Sequence, residues 1–137
     1  MALDERDFLI SAITNFKVGN EIGYRNAISR AYYSTYHQSL SRLTKMPNAN
    51  GSHHAALIKY LESKECCKNE KYQAETLKEL AGCMRQLRGM RNKADYNLDT
   101  TITQETAADH LMIARKIYAL WGDLLEHMEN HEAVMLT

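Results

Sequence analysis

The chain has 137 residues, enough for one domain with a proper core. Its 17 Lys and Arg balance 17 Asp and Glu, so it has no global basic field for gripping DNA or a membrane surface, and any anion site must be local. No apolar run approaches the roughly 18 residues of a membrane span. The acidic start MALDERDF lacks a signal-peptide core, so the expected setting is the cytoplasm, with no membrane partner.

The pattern throughout is helical, and five helices are expected. The first runs from about Leu3 to Val18 with Phe8, Ile13 and Phe16 inward. The second spans about Glu21 to Leu43 and reads YRNAISRAYYSTYHQSL in its centre. Ala27, Ile28, Ala31, Thr35, Ser39 and Leu43 give it a small-residue face that a neighbouring helix can approach closely. Arg30, Tyr33 and His37 fall at i, i+3 and i+7 and share another face. Tyr32 and Tyr36 read as core rings with hydroxyls reaching the edge. Pro47 is the single proline, inside MPNANGS, the one cluster of helix breakers.

The third helix follows Ser52, a natural N-cap, and carries Ala56, Leu57, Tyr60 and Leu61 inward. His53 and His54 are expected to be exposed first-turn residues. With Cys66 and Cys67 they lack the paired spacing of a zinc site, so no metal and no cofactor is expected. The odd cysteine count, completed by Cys83, suits reduced thiols. The fourth helix covers about Gln73 to Tyr96. The fifth begins near Thr101 or Thr103, where Thr101 and Gln104 have capping-box spacing, and runs to about Glu129. Its apolar arc is wide (Ala107, Leu111, Ala114, Tyr118, Trp121, Leu125, Ile113, Ile117, Leu124), as for a central helix or one that touches a second subunit. His110, His127 and His131 fall on the polar side or in the tail. The expected fold is an all-α, up-and-down bundle of four to five helices in a single domain over 1–137, frayed after about 130.

The segment from Arg85 to Tyr96 is the most informative. Leu77, Leu80, Met84 and Leu87 form a buried stripe that one more turn extends to Arg91, then to Ala94 and Asp95. Burying charge costs several kcal/mol unless it is paired or used. Arg91 and Asp95, at i and i+4, either neutralise each other or organise a ligand site. Arg85, Arg88 and Lys93 surround them as a basic face.

Together, ISRAYYSTYHQSL and the later LRGMRNKADYN at the end of a long helix resemble the HEPN superfamily of small helical domains. The resemblance covers about Leu3 to Leu125. It implies a four- or five-helix bundle, usually a homodimer. Many members act as toxins or phage-defence effectors that cleave RNA without metal. Others pair with an adjacent nucleotidyltransferase. HEPN ribonucleases use an Arg followed after four to six residues by His. A cation stabilises the scissile phosphate and the histidine moves protons as the 2'-hydroxyl attacks. Arg91 matches the arginine and Asn92 the polar residue after it, but Tyr96 stands where the nearest histidine belongs. A phenol, with an ordinary pKa near 10, is a poor base at neutral pH. Arg30 and His37 have the right count but lie on the second helix; across a helix pair, His37 could stand in for the missing histidine.

The expected catalytic set is therefore Arg91, Tyr96, Asp95 and His37, with Arg85, Arg88, Lys93, Arg30 and Tyr33 binding RNA. Three functions remain open at this point: a HEPN ribonuclease effector in a toxin–antitoxin or antiviral setting, a non-catalytic module binding RNA or a nucleotide, and an interaction subunit working with a nucleotidyltransferase or antitoxin. In the nucleotidyltransferase setting the resemblance also makes Tyr96 a modification target.

Overall fold

Residues 3–47 and 51–136 are described in a computed structural model, with side chains as far as residue 130. Among them the chain is all-helical, with six helices and no strand. The first, α1 (Glu5–Lys17), opens with a reciprocal cap: Asp4 accepts from Arg6 N, and Asp7 accepts from Asp4 N. Gly19, with φ +80°, turns the chain into α2 (Glu21–Ser41), which Asn20 caps through Gly23 N. A Cβ at Gly23 would stand 2.5 Å from the Asn15 carbonyl oxygen, so only glycine lets α1 and α2 close this tightly.

Ser52 caps α3 (His53–Leu61) as expected, by accepting from Ala55 N. The short α4 (Lys64–Glu70) was not anticipated and raises the count from five helices to six. Its seven residues span about two turns, too few to display a hydrophobic period. α5 (Ala74–Tyr96) lies one residue from its expected start. α6 (Gln104–Leu136) begins beside Thr103, whose hydroxyl accepts from Thr106 N, rather than with a Thr101–Gln104 box. Its backbone is helical through Leu136; the tail expected to fray carries side chains outside the described set. None of the described helices is long and apolar enough to cross a membrane.

Helix α2 packs against α1, α5 and α6. Its small-residue face is buried as the spacing predicted, at Ala27, Ala31, Thr35 and Ser39. There the Trp121 indole donates to Ser39 Oγ at 3.0 Å, which places the largest core side chain between helices at no hydrogen-bond cost. Leu77, Leu80, Met84 and Leu87 of α5 complete the core with Leu57, Leu61, Ile117 and Leu124. His110 is buried rather than on the polar side, its Nδ1 2.7 Å from Thr106 O. Cys66 is buried beside Glu70 and Cys67, and burial first, then those neighbours, pushes its thiol up to about 12. It stays protonated and inert.

Two buried charged groups tie loops to the bundle. Burial works against the Glu70 charge, but hydrogen bonds from Tyr60, Thr44 and Lys45 outweigh it and hold the carboxyl below its usual range. Arg25, 6% exposed, does the same for the end of α5. Its Nη1 donates to the carbonyls of Lys93, Ala94 and Asn97, and its Nη2 to Thr100 O and to Glu21 Oε1. Glu21 Oε1 in turn accepts from Ile102 N, just before α6. The last carbonyls of a helix lack intrahelical partners, and a cation there is favoured by the dipole as well.

Replacing Arg25 by Met strands these carbonyls in a buried setting and is expected to cost about 2–4 kcal/mol. Gly23→Ala forces α1 off α2 at a cost of about 1–3 kcal/mol. Urea midpoints of the two variants check both values; a shift within error for Arg25→Met would remove its capping role.

Candidate functional site

The face shared by α2 and α5 gathers most of the residues that the sequence singled out. Arg91 is half-buried, with 12% of its side chain exposed. Its Nη2 donates to the Tyr33 hydroxyl at 2.8 Å, and its Nη1 to Asn92 Oδ1 at 3.3 Å. Its Nε lies 2.9 Å from Asp95 Oδ2, an ion pair that lacks the alignment of a hydrogen bond. The guanidinium also stands 5.3 Å from the centres of both the Tyr33 and the Tyr96 rings. Burial disfavours its charge, but Tyr33, Tyr96 and Asp95 outweigh burial and keep it protonated. The same Asp95 Oδ2 also accepts from Ser29 Oγ of α2 at 3.0 Å. The i, i+4 pair thus neutralises a half-buried arginine and also holds it in place.

Around this centre the rings form a continuous surface. Arg30 lies 5.6 Å over the Tyr33 ring. His37 stacks on Phe8 at 5.4 Å and stands 6.4 Å from Tyr33, so it shares Tyr33 with Arg91 without a hydrogen bond to Arg91. Tyr96 is 72% exposed, an apolar ring presented to solvent beside the cation. An open cleft of about 250 Å³ adjoins the rings, lined by Leu3, Asp7, Phe8, Ser11 and Arg30.

Not every expected cation joins. Arg85 spends its charge on Glu62, with Nη2 2.8 Å from both carboxylate oxygens. Lys93 is two residues from Arg91, about 200° around the helix, and so emerges on another side of α5. Arg88 does reach the site margin, with Nη2 3.4 Å from Ser52 Oγ at the start of α3.

His54 is the residue that sequence reasoning missed. Only His53 is exposed; His54 is half-buried among the α2 tyrosines. Its Nδ1 shares a 2.8 Å hydrogen bond with the Tyr32 hydroxyl, and its ring lies 4.2 Å from that of Tyr36 and 6.3 Å from that of Tyr33. Burial of Tyr32 raises its hydroxyl well above the usual range, so the phenol stays protonated. Burial, then the charges of Arg91 and Arg88 and of His53 and His37, holds His54 below the ordinary histidine value. The Ser52 cap put His54 in a first turn, but the packing of that turn on α2 and α5 is a long-range fact that periodicity does not carry. Among the described residues, no cluster of His, Cys, Asp and Glu is placed to hold a metal ion.

The His54 imidazole is therefore expected to titrate below an ordinary histidine. Arg91→Ala should move that midpoint upward, though not fully, because burial remains; a histidine NMR titration reads both, and an unmoved midpoint would separate His54 from Arg91. No family model matches this chain, and no curated protein or solved structure is detectably similar to it.

Proposed function

We propose that this chain is a HEPN-type module directed at RNA, holding a single strand across the α2–α5 face. The observation that carries the reading is Arg91, a charged guanidinium held by Tyr33 and Asp95 at the end of an otherwise apolar stripe, next to an exposed tyrosine ring. A planar guanidinium suits a phosphodiester, and among the described residues its Nη1 is held only by a long bond to Asn92. Exposed rings give stacking surfaces that any base can use, and Arg30 and Arg88 add charge along the same face. With a net charge of zero the affinity must come from these few local contacts. In the setting we favour, two copies pair as a homodimer within a toxin–antitoxin or phage-defence system, with a nucleotidyltransferase or antitoxin as companion.

Metal-independent cleavage is the second reading, favoured by two imidazoles near Arg91. Removing a proton from a 2'-hydroxyl needs a neutral base, and the burial and cations that lower the His54 midpoint favour its neutral ring. His37 lies on the same run of rings.

Binding of a fluorescent single-stranded RNA should weaken steeply with added salt and fall about tenfold or more in Arg91→Ala at low salt, with an unchanged helical CD spectrum. The same proteins incubated with total RNA in EDTA separate the two readings: cleavage by the wild type alone supports a ribonuclease, and binding without cleavage supports a module. Equal affinity of wild type and Arg91→Ala would sink both.

A further inference from the structure

His54 sits in the first turn of α3, which packs on α5. From α2 it meets Tyr32, Tyr36, Tyr33 and, more distantly, His37. Arg88 and Arg91 act on it from α5, and His53 from its own helix. These neighbours are neutral or positive, and Asp95 is engaged with Arg91 and Ser29. Tyr32 holds Nδ1, while Nε2 has no hydrogen-bond partner among the described residues.

We propose that His54 is a proton-linked member of the anion site, taking one proton from solvent when a phosphodiester binds beside Arg88 and Arg91. The inference rests on the RNA-binding reading above and adds a residue and a pH dependence to it. In the free protein the two guanidinium charges and burial oppose the proton. A bound phosphodiester brings a negative charge that stays ionised throughout the histidine range. It offsets the arginines, and the imidazolium becomes the favoured form. The protonated ring then has two N–H donors: one for the Tyr32 oxygen, the other for the ligand. The complex holds more protons than the free protein. Affinity therefore rises as pH falls through the bound-state midpoint and levels off below the free-state midpoint. A phosphate that lifts the midpoint by about one unit tightens binding about tenfold over this window.

The test uses an oligouridylate, whose phosphodiesters and uracils do not titrate between about pH 5 and about pH 8. Its affinity for the wild type should increase about tenfold across that range. In His54→Gln most of that slope should vanish. In the wild type, the His54 ring resonances should titrate at higher pH with the oligonucleotide than without it, a readout that does not depend on the variant folding. Binding with the same pH slope in both proteins, or an unmoved His54 midpoint in the saturated complex, overturns the proposal while leaving the RNA reading standing. No binding by the wild type at any pH overturns the RNA reading and this proposal with it.

Discussion

The buried Arg25 guanidinium is the interaction on which the rest of the site depends. It satisfies carbonyls at the end of α5 and in the connection to α6, and through Glu21 it reaches the Ile102 amide. Arg25, Ser29 and Tyr33 follow one another at four-residue steps along α2. They meet, in order, the end of α5, Asp95 and Arg91. One stripe of α2 thus reads the last two turns of α5 in descending register. Helix ends fray unless their carbonyls find partners. With this end fixed, Arg91 and Tyr96 are held where a mobile terminus would scatter them.

The same register explains how a chain of zero net charge keeps a local cationic face. Several surface cations are spoken for, Arg85 by Glu62 and Lys116 by Glu79. Exposed pairs of this kind add little stability, but they cancel charge locally. Arg30 and Arg88 lack a carboxylate partner among the described residues; Arg30 lies over the Tyr33 ring that holds Arg91, and Arg88 reaches Ser52, two residues before His54. Arg91 differs from them because it is half-buried and oriented by three groups. Ordering of this kind lowers the cost of binding, since less side-chain freedom is lost when a ligand arrives.

The helices were legible because their caps and periods are local. Ser52, the small-residue face of α2 and the Leu77–Leu87 stripe all behave as their spacing indicates. α4 was not, since seven residues cannot display a period. The Arg91–Asp95 pair was visible as charge at the end of an apolar stripe. Arg25 carried the same signal, a charge on the face of Ile28, but a helix offers no sign that its partners will be carbonyls some seventy residues away. His54 was hidden for a similar reason. Its exposure depends on how α3 leans on α2 and α5, and a two-histidine first turn after a loop looks alike whether it faces solvent or tyrosine rings.

The most direct measurement is a map of the ligand footprint on the wild-type protein. Backbone amide and arginine Nε–Hε resonances would be followed while a single-stranded RNA oligonucleotide is added. The account predicts shifts concentrated at Arg30, Tyr33, His54, Arg88, Arg91 and Tyr96, with Arg25 and the end of α5 remaining ordered. Shifts centred on another face, such as the exposed side of α6, or a saturating complex that leaves the Arg91 resonance unmoved, would contradict it.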